Sequence, residues 1–401
     1  MDFARSDNNR QWRGAGRTAF STKWRASPQP PLKPLGATID SINASLLLVE
    51  EEAPKITKLQ YVSSYNWLDS RSSVILVPGS PPTWTPPVGK QQLQPDRGDV
   101  FRDINSAKHP TFPMEPAVRA IFAMQPDFDL GQVDVMACGS TMGNLLRFAR
   151  SDSKPFTFDV DCINDTVFFI RKERSPTELI TDLRGYGHTF PEAYTTWEKE
   201  VRHSCSHQRI VEYDFSGLHF VIRSETDGYV GGNLTGTATK GDFAIEDALE
   251  RMAVATANGN ARPPVDNKLV LKMQGTKVPQ DQIFDIKTRS KQTNFSMNDI
   301  LPRLWINQTS KFLLAYHERG LFDAPQVMDI QQEVLEWQND NAEILARFHE
   351  LIKRVVDVVR DSADQRVEVS WDGQGPLIIS TQLGDEKRVL PTDLLDTLES
   401  V

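Results

Sequence analysis

Residues 218–229 read LHFVIRSETDGY, and the alternation in this stretch decides the fold. Successive side chains of a strand point to opposite faces. Leu218, Phe220 and Ile222 therefore line one apolar face, while Arg223, Glu225 and Asp227 share the other. Two carboxylates at i and i+2 stand about 7 Å apart along a strand. At that separation hard oxygen ligands can share a divalent cation such as Mg²⁺. An ExD triplet by itself is more often a solvent-facing strand edge, so the reading needs a second element.

Residues 282–288, QIFDIKT, supply it. Phe284 and Ile286 face one way, Asp285 and Lys287 the other. An acid pair followed in the chain by an acid and a lysine at i, i+2 is the arrangement of metal-dependent nucleases. There the acids hold the cation, which lowers the pKa of water and screens phosphodiester charge, while the lysine orients the water. A third element is a helix expected over 299–316, with Leu301, Leu304, Trp305, Phe312 and Ala315 as its apolar stripe. Gln308 falls on that stripe, where a polar side chain requires a polar partner.

Around these elements the pattern is mixed. Strands are expected over 73–77, 132–137, 210–214, 218–227 and 269–273. Hairpins are expected at 156–171, about Asn164-Asp165, and at 368–380, about Asp372-Gly373. Helices are expected over 116–124 and from Thr141, with one or two amphipathic helices over 325–360. Ser175, Pro176 and Glu178 form a capping-box opening for a further helix. The five prolines of 78–87, around Trp84, suggest an ordered surface strap. Residues 231–267, rich in Gly, Thr and Asn, are expected to form a loop carrying one short helix.

The chain has 401 residues, 39% apolar and 25% charged, with a formal charge of −9. No run reaches the ~20 apolar residues a bilayer span needs, and no apolar leader follows Met1. The three cysteines, Cys138, Cys162 and Cys205, form no CxxC, which argues against a disulfide scaffold or structural zinc. HExxH, GxSxG, GxGxxG and P-loop patterns are absent from the sequence. Residues 1–37 carry seven basic residues against Asp2 and Asp7, so +5 falls on this arm and −14 on the rest. The arm is expected to be disordered, with residues 38–401 forming a single domain. A basic arm of this kind can also contact RNA phosphates, and it fits nucleus, cytoplasm or mitochondrion.

With these elements in order, the sequence resembles the DXO/Rai-like family of RNA 5′-end decapping nucleases. The resemblance is carried by VDVMACGSTMGNLL from Val133, GHTFPEAY from Gly187, SETDGY from Ser224, FDIKT from Phe284, NQTSKFLLAYHERGLF from Asn307 and VSWDGQGPLIIS from Val369. It spans roughly residues 61–380 and keeps the family's motif order. The resemblance implies an α/β (α+β) fold of mixed β-sheets flanked by helices, related to the PD-(D/E)XK nucleases, with a deep Mg²⁺ pocket (Mn²⁺ is the alternative ion). It implies removal of incomplete or NAD-type caps, pyrophosphohydrolase activity or 5′–3′ degradation of RNA. Carried over, Glu225, Asp227 and Asp285 are metal ligands, and Lys287 lies beside the nucleophilic water. Gln308 helps position that water or the scissile phosphate, and Arg223 is the candidate substrate-binding residue.

Two positions depart from the pattern. Gly139 stands where the family has a phosphate-binding arginine, the loss of a planar bidentate donor. Pro191 stands in the register of a family acid, leaving Glu192 one residue late as a candidate catalytic acid. These departures open a second reading, a weakened member that binds RNA ends or serves an Xrn-type 5′–3′ exonuclease as a scaffold. No membrane partner is expected.

Overall fold

The computed structural model describes residues 35–47, 53–181, 183–231, 266–384 and 388–399. The basic arm before residue 35 and most of the 231–267 segment lie outside the described residues. A mixed sheet of eleven strands forms the frame. At its centre Leu218–Glu225 pairs antiparallel with Ser204–Phe215 and parallel with Val135–Cys138. The alternation holds: Phe220 and Ile222 face one core, and Val221 between them faces another. The first core is closed by helices Gly139–Ala149, Leu301–Asn307 and Ala342–Asp361. The second is closed by Glu115–Met124 and Thr392–Glu399. Burying both faces of the central strands explains their nearly unbroken apolar runs.

A second sheet carries the lysine strand, Ile283–Ser290, parallel to Lys311–Glu318 with Asp285 opposite Phe312. Parallel neighbours need a crossover, and the helix Leu301–Asn307 lies within it. The helix expected over 299–316 is thus half helix and half strand. It stops at Gln308, which adopts φ 52°, ψ 43°, a left-handed C-cap. Phe312 and Ala315 are buried from a strand, and apolar spacing in a short run does not separate the two cases. Gln308 consequently sits on no helical stripe.

Two other expectations fail. No helix follows Ser175: its hydroxyl and the Glu178 carboxylate do accept from Thr177 N and Arg174 N. They close a single turn, after which Leu179–Ile180 pairs with Val100–Phe101. The cap chemistry is present, but no 3.6-periodic apolar run follows it. The proline strap is not superficial either. Pro81, Pro82 and Trp84 are buried, and Thr83–Trp84 is a strand of the second sheet, between Thr195–Thr196 and Tyr229. The other expected strands, the helix over 116–124, the two hairpins and the paired helices Gln331–Asp340 and Ala342–Asp361 are all present. Among the described residues no helix is long and apolar enough to cross a membrane.

His207, 1% exposed on the strand Ser204–Phe215, places its Nδ1 2.6 Å from Asn66 Oδ1. Burial first, and Arg209 second, hold its pKa well below the ordinary value. The unfolded chain takes up a proton near pH 6.5 and the folded chain does not, so folding stability falls as pH drops below that point. The expected slope approaches about 1.4 kcal/mol per pH unit for this one group. Urea unfolding between pH 7.5 and 5.5 should give a shallower pH dependence for His207→Gln than for the unsubstituted protein.

Candidate active site

The acid pair lies where the chain passes from one sheet to the other. Glu225 closes its strand opposite Gln208 in the large sheet. Thr226 N donates to His207 O at 3.0 Å, and two residues later Gly228–Tyr229 pairs with Phe284 and Ile283 of the second sheet. The strand expected over 218–227 therefore ends at Glu225, and Asp227 belongs to the crossing. Its Oδ2 accepts from Ile286 N at 2.6 Å, which fixes the carboxylate on the lysine strand. There the Asp227 carboxyl comes close to that of Asp285. Burial and then the Asp285 charge push the Asp227 pKa well above the carboxylate range. Glu225 is exposed at its strand end, and the protein crowded around it, with Asp103 and Asp285, raises its pKa to about 6.

Cations stand beside these acids. Arg303 Nη2 lies 2.8 Å from Asp285 Oδ2, and its charge also favours the ionised forms of Glu225 and Asp227. Lys287, half-buried, has its pKa lowered by burial, Arg289 and Arg303 against the opposing pull of Asp285 and Asp227. Hence Asp227, Asp285, Lys287 and Arg303 form one electrostatic unit, and Glu225 touches it through Asp285 and Arg303.

Other expected residues lie apart from it. Arg223 is 4% exposed and donates from Nη1 to Pro113 O at 3.0 Å. Tyr65 and Asp103 are its further polar surroundings, so its guanidinium is spent inside the protein. Glu192, in the helix Thr189–Tyr194, is exposed, and the charged groups that act on it are His188 and Asp96. Gln308 turns its Nε2 back to Trp305 O, while its backbone carbonyl accepts from Gln280 Nε2 at 2.8 Å.

Arg303 and Asp103 escaped the reading of the sequence. A signal for Arg303 exists: it is the one charged residue of LPRLWIN, in the crossover that follows the Asp285 strand. Asp103 caps the helix Ile104–Lys108 and is distant in sequence from every acid motif.

Gly139 opens the helix Gly139–Ala149, and a Cβ there would run into Asn307 Oδ1, itself buried without a hydrogen-bond partner. A larger residue has no room unless Asn307 gives way. Gly139→Arg is expected to lower stability by about 1–3 kcal/mol, and Asn307→Ala in the same chain should recover part of it. Denaturant unfolding of the single and double variants checks both.

The donor set is all oxygen, which suits Mg²⁺ or Mn²⁺. Among the described residues no three His, Cys, Asp or Glu side chains converge tightly enough to hold an ion by themselves. Two carboxylates do converge, and Mg²⁺ is commonly held by one or two carboxylates with water and substrate phosphate completing the shell. The residues present fit that kind of site through Asp227 and Asp285, whereas Glu225, expected as a third ligand, does not close with them into a three-acid cluster.

The family described as a domain of unknown function, DUF8563, matches residues 42–392. No curated protein matches the sequence. Among solved structures the fold is similar to S. pombe Rai1, at 10% identity and TM-score 0.55 over 86% of this chain and 99% of that one. It is similar to Scheffersomyces stipitis Rai1 in complex with (3′-NADP)⁺ and calcium, at 10% identity and TM-score 0.56, covering 92% and 100%. Candida albicans Rai1 in complex with pU5 and Mn²⁺ gives 11%, 0.56, 90% and 99%. The likeness read from the motif order is thus matched by a likeness of fold.

Proposed function

This chain belongs to the DUF8563 family, and for it we propose a divalent-metal-dependent hydrolase acting on RNA 5′ ends. The observation that carries the reading is the meeting of Asp227, from the crossing between the sheets, and Asp285, from the lysine strand, with Lys287 and Arg303 alongside. Two like charges brought close in a partly buried place are costly to assemble, and a fold that does so favours a site built for a cation. The neighbours of similar fold lend support: one was solved with pU5 and Mn²⁺, another with a nucleotide and calcium. Asp227 and Asp285 would hold the ion, with Glu225 beside them. Such an ion, when bound, lowers the pKa of water and offsets phosphate charge.

The chain's own residues do the rest. The Ile286 amide fixes Asp227, and the strand register fixes Asp285 and Lys287 on one face. The Lys287 ammonium, less tightly protonated than a surface lysine, can orient an attacking water toward phosphorus. The expected substrates are RNAs carrying a 5′-triphosphate, an incomplete cap or an NAD-type cap. The test is their hydrolysis in Mg²⁺ and in Mn²⁺. Release of the 5′ group, abolished by EDTA, supports the reading, whereas the same rates on matching DNA ends would replace it with a general nuclease.

Two observations favour the second reading. Asn307 fills the space beside Gly139, and Glu192 keeps company with His188 and Asp96. A chain without those two groups can bind an RNA 5′ end without turnover, or serve an Xrn-type exonuclease as a scaffold. Tight RNA binding with no hydrolysis in either metal selects this alternative.

A further inference from the structure

We infer that Arg289 and Arg303 form a phosphate seat beside the acid pair, receiving a phosphate of the RNA 5′ end; the inference rests on the function proposed above. Asp285, Lys287 and Arg289 alternate along a strand whose pairing with Lys311–Glu318 runs without a bulge, so all three share a face. Their spacing of about 7 Å per step carries positive charge outward from the acids. Arg303 reaches the same acid from the crossover helix, its Nη2 2.8 Å from Asp285 Oδ2. Lys287 and Arg289 thus extend along the face that Asp285 opens, and Arg303 meets it at the acid end.

Neither arginine is used up by the fold. Arg303 is 47% exposed and its one ion pair among the described residues is the contact with Asp285. One carboxylate can take up at most two of the five donors of the fork, so others remain. Arg289 pairs with no carboxylate among the described residues and lies over the Phe295 ring, 5.7 Å from its centroid. Phe295, half-buried, stacks in turn on Phe312. A planar fork matches phosphate oxygens two at a time. A cationic groove flanked by an aromatic ring is the general platform for single-stranded nucleic acid. Arg223, by contrast, is enclosed and satisfied within the protein, so it cannot serve in this way.

The experiment is fluorescence anisotropy with a short 5′-monophosphorylated RNA labelled at its 3′ end. It is run in EDTA, so that binding is read without turnover, and across a series of salt concentrations. Arg303→Ala and Arg289→Ala are each expected to weaken binding about tenfold. Each should also reduce the slope of log affinity against log salt by about one. Arg303→Lys should keep the slope. If Arg303 acted only by supporting Asp285, Asp285→Asn would weaken binding equally; the expectation is that it binds no more weakly than the unsubstituted protein. If that protein binds and both alanine variants keep its affinity and slope, the seat is refuted while RNA binding stands. If the unsubstituted protein binds no RNA, the functional reading falls and the seat falls with it.

Discussion

Asp285→Asn is expected to lower release of the 5′ group from triphosphorylated RNA by about a thousandfold, with the fold intact. Asparagine has the same outline and keeps an oxygen for Arg303 Nη2, but it contributes no charge to the pair with Asp227. The effect on stability runs the other way. The Asp285 charge is one of the causes that raise the Asp227 pKa, so removing it lifts part of that cost at neutral pH, and only a half-exposed ion pair is given up. The thermal midpoint should stay within about 2 °C of the unsubstituted protein. Metal supplies a second readout, because a ligand that binds the folded state alone raises the midpoint by mass action. Millimolar Mn²⁺ should raise it for the unsubstituted protein and leave Asp285→Asn unmoved. Full hydrolysis by the variant, or an equal Mn²⁺ shift, removes Asp285 from the proposed site.

The frame was legible because a few strands carry a period of two that nothing else in the sequence imitates. Phe220 and Ile222 fall into one core as the alternation requires. Asp285 and Lys287 keep one face because their strand is regular. What was not legible is the crossing. A strand drawn through 218–227 places Glu225 and Asp227 side by side on one sheet, whereas the chain leaves that sheet after Glu225. The change of direction is written only in Gly228, whose missing side chain admits the Phe284 ring. Gln308 lies outside its expected helical stripe for a related reason. The run from Leu301 to Ala315 satisfies a helical stripe and a buried parallel strand equally well, and the left-handed cap that divides it lies on a residue with no special preference for that conformation. Arg303 went unnoticed because an arginine on a short helix is ordinarily a solvated side chain. Only the tertiary path brings it to Asp285.

Phe284→Ala is expected to lower stability by about 3–5 kcal/mol, and to disable the site by more than that loss explains. The ring is fully buried, meets Trp84 edge-on at 5.8 Å between centroids, and packs on Gly228 so closely that a Cβ there would lie 2.5 Å from its Cζ. Gly228 and Phe284 are also ladder partners, each adjacent in sequence to one of the paired acids. The ring is thus the spacer that sets how near Asp227 can come to Asp285. Its removal opens a cavity at that junction, and the Asp227 side chain is left with the Ile286 amide as its remaining anchor. Phe158→Ala separates the two consequences, since Phe158 is 1% exposed in the core far along the large sheet. It should cost a similar amount in urea unfolding at unchanged m-value. Compared at a temperature where both variants remain folded, Phe158→Ala should hydrolyse RNA near the unsubstituted rate and Phe284→Ala should fall at least about tenfold below it. Equal rates for the two variants would mean that the spacing of the acids does not depend on this ring. Gly228→Ala approaches the same junction from the opposite side by overfilling it, at an expected cost of about 1–3 kcal/mol, and it should depress hydrolysis in the same direction.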